Sequence, residues 1–241
     1  MKKFNWTNIR LLVIFGVAIF LFSFSGKRNE NRKILKTKVE FVSENNPFLT
    51  KESVNKLLIE KNRGRLGFKK VELDLSNLEK KLNSHNMIKK TEVYVSVDGV
   101  LKAVVEQKTP VARVFNDNSS FYVDYQGGRM PVSDNFSARV PLISGALHEL
   151  KNEKITRVLQ TIHDDDFLQK NIIGVNILPS GNLKMSSRNF NYVIDFGKPI
   201  NIEKKFKNYK AFFQRAVQDT LIKNYKTVNL KFTQQVVCTK N

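Results

Sequence analysis

The stretch VYVSVDGVLKAVVEQKTP, residues 93–110, alternates apolar and polar side chains on both sides of Asp98-Gly99. Val93, Val95 and Val97 make one apolar stripe; Leu101, Ala103 and Val105 make the other. A period of two is that of half-buried strands, and Asp-Gly between two such runs is a hairpin turn. A two-residue loop would set the two stripes on opposite faces. A three-residue loop, Asp98-Gly99-Val100, puts them on one face and predicts the pairs Val97 with Leu101, Val95 with Ala103 and Val93 with Val105. Pro110 lacks a backbone donor and is expected to end the ribbon. A two-stranded ribbon with one apolar face is marginal alone, so this segment demands cover from elsewhere in the chain.

The cover is found upstream. KVEFV (38–42) reads as a short strand. Thr50 can cap a helix in which Val54, Leu57, Leu58 and Lys61 recur at helical spacing, and NRGRLG interrupts it. A second helix is expected from Ser76, with Glu79 completing a capping box and Leu75, Leu78 and Leu82 on one side. Residues 38–107 thus read strand, helix, helix, strand, strand, with a core in which Leu57 and Leu78 meet Val95 and Val105.

Nearer the start, Leu11 to Gly26 carry no charge, and a helix over 9–26 would span roughly 27 Å, close to the thickness of a bilayer core. The stretch is apolar all round and lies beside an isolated basic tail, which argues against a buried core helix. It reads as an uncleaved membrane anchor; the rival is a signal peptide, since Ser23-Phe24-Ser25 imitates a small-x-small cleavage site. Basic residues flank both ends, so charge does not orient it, and a long following domain can be translocated regardless. KRNENRKILK (27–36) is charged and without period, as in a linker.

The remainder, 111–240, reads as strand-rich with two helices. Strands are expected in YVD before Gly127-Gly128, in the two arms of IIGVNILPSGNLKMSS (172–187) about Pro179-Ser180-Gly181, and in NYVIDF (191–196). One helix is expected over ELKNEKITRVLQTIHDDDFL, with Leu150, Ile155, Val158, Leu159 and Ile162 inward. The other runs from about Ile202 to Leu221, with Phe206, Tyr209, Phe213, Ala216 and Val217 inward. Both helices on one face of an antiparallel sheet make an α+β layer.

The formal charge is +19, from 41 Lys and Arg against 22 Asp and Glu, which suits an anionic neighbour or simply a well-solvated surface. The single cysteine, Cys238, excludes an intrachain disulfide, a zinc cluster and a CxxC motif. His85, His148 and His163 have no i,i+4 partner. Asp164, Asp165 and Asp166 are consecutive, so they point in different directions and read as a solvated helix end. Ser144 lacks a nucleophile elbow and Gly127-Gly128 lacks the P-loop Lys. No nucleophile is paired with a base, so an enzyme is not expected, nor any metal or cofactor.

The order of these segments resembles the FtsQ/DivIB family of bacterial cell-division proteins, with its POTRA module and following β-domain. Five segments carry the likeness: Gln107-Lys108 with Pro110; FYVDYQGGRMP (121–131); VPLISG (140–145); IDFGKPINIEKKF (194–206); and VNLKFTQQVV (228–237) as a last long strand. The resemblance implies a cytoplasmic tail (1–8), a transmembrane helix (9–26), a juxtamembrane linker (27–37), a POTRA domain of βααββ order (38–110), a β-domain (111–238) and a short tail (239–241). It implies a non-catalytic scaffold in the cell inner membrane at the septum, N-terminus cytoplasmic and bulk periplasmic, with FtsB-like and FtsL-like bitopic partners and no nucleic acid. By position, Lys231 and Phe232 would begin the partner contact, and Gln234, Gln235, Val236 and Val237 would supply a main-chain ladder on an uncovered strand edge. The alternative is a cell-envelope glycan-binding protein or enzyme with a basic surface; Trp6 is its only Trp and lies before the apolar segment, so a wide aromatic platform is missing.

Overall fold

The computed structural model describes residues 6–31, 33–43, 47–59, 73–116 and 119–240. Lys61 and the NRGRLG break lie outside them. The first element, α1 (Trp6–Glu30), exposes its apolar side chains from Leu11 to Phe24 and extends past the anticipated end into the charged segment. Its stretch Ile9–Asn29 is long and apolar enough to cross a membrane.

The chain divides into two compact units, the first holding residues up to Glu44 and Leu49–Gln107, the second Asn45–Phe48 and Lys108–Asn241. In the first unit the order is β1 (Lys36–Phe41), α2 (Lys51–Ile59), α3 (Leu75–Asn83), β2 (Ile88–Val95) and β3 (Val100–Gln107). The three strands form one sheet in the order β1-β3-β2, β1 running parallel to β3 and β2 antiparallel to it. This is the expected βααββ arrangement. Thr50 starts α2, its Oγ1 accepting from the Ser53 N–H at 3.1 Å. Val54, Leu58, Leu78, Leu82, Leu101, Ala103 and Val105 are buried, whereas Leu57 and Val95 are only half-buried, so the helix α2 contributes Leu58 where Leu57 was expected.

Two local expectations fail for identifiable reasons. The hairpin register is displaced by two residues: Val95 pairs with Leu101, Val93 with Ala103 and Thr91 with Val105. The loop is Val97-Asp98-Gly99, closed by the Ser96 N–H on the Val100 carbonyl at 2.9 Å, and Val97 is 85% exposed. Gly99 takes φ +82°, and only placing it last in the loop gives that left-handed position to a glycine. The shift of two keeps both stripes on the same face, which is why the core survives it. The second helix begins one residue early, at Leu75, because Asp74 is the cap, its carboxylate accepting from the Asn77 N–H at 3.0 Å. Glu79 is thereby released from a capping box and instead accepts from the Val93 N–H at 2.8 Å, tying α3 to β2.

The second unit contains β4 (Pro110–Asn116), β5 (Ser119–Asp124), β6 (Arg129–Pro131), β7 (Leu142–Gly145), a 3₁₀ turn (Leu147–Lys151), α4 (Glu153–His163), α5 (Asp166–Asn171), β8 (Ile172–Ile177), β9 (Leu183–Ser187), β10 (Val193–Gly197), α6 (Ile202–Gln218), a second 3₁₀ turn (Leu221–Asn224), β11 (Tyr225–Asn229) and β12 (Val237–Lys240). The nine strands form one sheet, ordered β12-β11-β10-β9-β8-β7-β4-β5-β6. It is α+β, but the sheet is mixed rather than antiparallel: β4/β7, β7/β8 and β10/β11 are parallel pairs. Parallel neighbours require a crossover, and α4 with α5 joins β7 to β8 while α6 joins β10 to β11. Inward residues of the sheet, among them Val114, Ile143, Val175, Met185, Ile194 and Val228, share one core with Val158 and Leu159 of α4, Leu168 of α5 and Phe206 and Tyr209 of α6.

The single helix expected before β8 is three pieces. Asn152 caps α4, accepting from the Lys154 N–H, and Asp165 caps α5, accepting from the Phe167 and Leu168 N–H groups at 3.1 Å each. Short polar side chains that satisfy orphan helix donors restart the helix at both places. In α6, Phe206, Tyr209 and Ala216 are buried as expected, while Val217 faces outward at 43% exposure.

The segments that carry the family resemblance are turn fasteners. Asp124, 3% exposed, accepts from the Gln126 N–H (3.0 Å) and the Gly128 N–H (2.7 Å) and pairs with Lys108 at 2.8 Å, so the Gln-Lys-x-Pro and Val-Asp-x-x-Gly segments meet in one ion pair. Pro110 is the first residue of β4, not the last of the ribbon, which ends at Gln107. Gly145 ends β7 at φ +91°, where an added Cβ would lie 2.1 Å from the Ile177 carbonyl oxygen, so no other residue fits.

Candidate docking edge

At one margin of the large sheet β12 pairs antiparallel with β11: Asn229 with Val237, Val228 with Cys238, Thr227 with Thr239 and Tyr225 with Lys240. The long strand expected over 228–237 is therefore two strands with a reversal between them. Asn229 starts that reversal by accepting the Lys231 N–H on its side chain at 2.9 Å. This is an Asx turn, and an Asn followed by Leu-Lys was the sequence signal for it. Leu230 is buried, its N–H donated to the Asp195 carbonyl of β10.

The six residues named from the resemblance fall in three places. Lys231 pairs with Asp195 at 2.7 Å, lying over Gly197, and Phe232 is 51% exposed beside it. Gln234, Gln235 and Val236 lie in the reversal, not in a ladder, and line a groove of about 300 Å³ whose other wall includes Phe212 and Arg215 of α6 and Tyr225 of β11. The Asn208 side-chain amide of α6 holds this reversal by donating to the Thr233 carbonyl at 3.1 Å. Only Val237 belongs to an edge strand, and the residues missed by sequence are Cys238, Thr239 and Lys240, which complete β12. Among the described residues β12 is the outermost strand of its sheet, so one row of its main-chain groups faces away from β11. Cys238 is half-buried, and burial pushes its thiol up from the ordinary range.

The groove is anchored from beneath. Tyr192 and Tyr209 share a hydrogen bond between hydroxyls at 2.9 Å, both rings buried, and burial pushes both phenols up. Phe212 packs edge-on against Tyr192 (6.4 Å) and Tyr225 (5.5 Å). Lower on α6, Lys205 is 2% exposed and donates to the carbonyls of Phe196 and Lys198, each at 2.8 Å, with its ammonium 4.6 Å from the Phe196 ring centre. Burial depresses its pKa, partly offset by Asp195. These contacts fix α6 against β10, and with it one wall of the groove.

The groups tested for chemistry lie apart. His85 accepts from the Met87 N–H, His148 is 3.6 Å from Glu149, and His163 meets the Tyr125 ring edge-on. Asp164 accepts from the Tyr125 hydroxyl at 2.7 Å, Asp165 caps α5 and pairs with Lys210, and Asp166 begins α5. Among the described residues no group of three or more His, Cys, Asp or Glu could hold a metal ion.

An apolar helix long enough to cross a bilayer, a three-stranded βααββ unit and a mixed nine-stranded sheet unit make a modular chain whose first helix is consistent with membrane anchoring. The family model described as FtsQ/DivIB, C-terminal related, matches residues 109–239, and a POTRA-like domain model matches residues 38–106. The chain belongs to the FtsQ/DivIB family, whose members are in general non-catalytic cell-division proteins. No curated protein matches the chain.

Proposed function

We propose that this protein is a non-catalytic scaffold of the bacterial divisome, held in the inner membrane by α1 with its N-terminus in the cytoplasm and both folded units in the periplasm at the septum. It recruits FtsB-like and, through them, FtsL-like bitopic proteins, and so helps organise septal wall synthesis. Family membership supports the division role. The observation that carries the docking reading is the outermost strand β12 beside a groove lined by Gln234, Gln235 and Val236. A partner strand laid on β12 would take up its free main-chain groups while a flanking apolar side chain entered the groove.

Charge supports the same end of the molecule. Residues 181–241 hold twelve Lys and Arg against three Asp and Glu, a net +9, whereas residues 108–180 hold eight against eight. The docked segment is therefore expected to be acidic, and its capture to weaken as salt rises from about 0.05 to 0.5 M, where the screening length falls to a few Å.

The edge is tested with prolines. Adjacent residues of a strand point their N–H groups to opposite sides, so of Cys238→Pro and Thr239→Pro one removes a donor to β11 and the other a donor to the partner. Capture of a soluble FtsB-like segment by the detergent-solubilised full chain should drop at least tenfold in the variant whose melting is unchanged. Undiminished capture by both variants would place the partner away from β12.

A further inference from the structure

A second concavity of the large-sheet unit, about 720 Å³, opens where β4, β7 and β8 begin and β9 ends, remote in the strand order from β12. Its lining includes Arg139, Lys170 and Arg188, the amides of Gln169 and Asn189, and the ring of Phe136, and among the described residues it includes no Asp or Glu. We propose that this pocket binds an anionic saccharide, a sugar bearing a phosphate or a carboxylate, of about disaccharide size.

The three cations are not engaged in ion pairs among the described residues. Arg188 is nevertheless positioned: its Nε donates to the Lys170 carbonyl and its own N–H to the Asn171 carbonyl, both at 2.8 Å. A guanidinium held by Nε presents its two Nη groups as a fixed fork, the arrangement that grips a carboxylate or phosphate. The opposite wall is ordered too. The Tyr122 hydroxyl, on a ring 1% exposed, accepts from the Ala138 N–H at 3.1 Å and lies 3.2 Å from the Ser137 hydroxyl, fixing the segment that carries Arg139. Of the three carboxylates of the neighbouring α4–α5 turn, Asp164 is committed to Tyr125 and Asp165 to Lys210 and the α5 cap, and Asp166 is not part of the pocket lining. Amides beside the cations suit sugar hydroxyls, and a volume of several hundred Å³ exceeds what an inorganic anion needs.

The test is calorimetric titration of the full chain, in a detergent carrying neither sugar nor phosphate, with N-acetylglucosamine 1-phosphate, glucuronic acid, inorganic phosphate and N-acetylglucosamine. The first two arms distinguish a phosphate from a carboxylate source. At least one of the charged sugars should bind tenfold or more tightly than inorganic phosphate and the neutral sugar, and Arg139→Gln with Arg188→Gln should weaken it at least tenfold, while Lys223→Gln, outside the pocket, should not. Equal binding of phosphate and charged sugars would overturn the saccharide assignment. Absence of binding in all four arms, or binding untouched by the double variant with melting unchanged, would overturn the site.

Discussion

Replacing Lys205 by alanine is expected to destabilise the large-sheet unit by about 3–5 kcal/mol, lowering its melting temperature by on the order of 10 °C. The ammonium is the donor to two carbonyls, that of Phe196 within β10 and that of Lys198 just after it, and its stem fills space between α6 and Phe196. Alanine leaves both carbonyls without that donor and opens a cavity, whereas Lys205→Met refills the cavity and should recover only part of the loss. Alkaline pH separates the charge from the packing. The native pKa is depressed by burial below the ordinary value of 10.5, so between the two the unfolded chain binds more protons. Native stability contributed by this group is therefore lowest below its native pKa and rises as pH climbs towards 10.5. Melting of the native protein relative to Lys205→Met should show that rise. Equal stability of the two proteins across the range would contradict the assigned role.

The second large effect concerns a residue whose place in the chain misleads. Phe48 lies in sequence between β1 and α2, yet it belongs to the large-sheet unit, fully buried and edge-on to Tyr122 (5.8 Å) and Phe136 (5.1 Å). Its carbonyl accepts from the Ser133 hydroxyl at 2.6 Å. Tyr122 and Met130 pair across β5 and β6, which makes a small apolar cluster beside the main core. Phe48→Ala should cost about 3–5 kcal/mol, and hydrogen exchange should accelerate in residues 110–145 while residues 88–107 keep their protection. Loss of protection in 88–107 with 110–145 unchanged would assign Phe48 to the wrong unit.

Much of the fold was legible because burial imposes a period. Leu78 with Leu82, and Val158 with Leu159 and Ile162, lie on the faces that helical spacing placed inward, and the stripe Leu101-Ala103-Val105 faces its core. What escaped was set by single polar groups or by main-chain geometry, which leave no period. Asp74 rather than Ser76 starts α3; Gly99 rather than Val100 closes the hairpin; Asn152 and Asp165 divide one apparent helix. Two of the three parallel pairs of the large sheet were readable in principle, since each helical stretch stands between two strands that became parallel neighbours, β7 with β8 and β10 with β11. The outermost strand pair was half legible. The alternation of Val228, Leu230 and Phe232 with polar residues resembles one strand continuing to Val237, and only Asn229, whose side chain folds the chain back on Lys231, marks it as two. The pocket of Arg139, Lys170 and Arg188 gathers residues distant in sequence, and no local spacing announces it.

Division scaffolding is tested most directly in the living cell, by replacing the native copy with a full-length fluorescent fusion and imaging dividing cells. A ring at midcell is expected, retained when Lys223 is changed and lost when the β12 proline variant that keeps its fold also loses its partner. Uniform fluorescence around the whole envelope, in cells where the fusion supports growth, would contradict it.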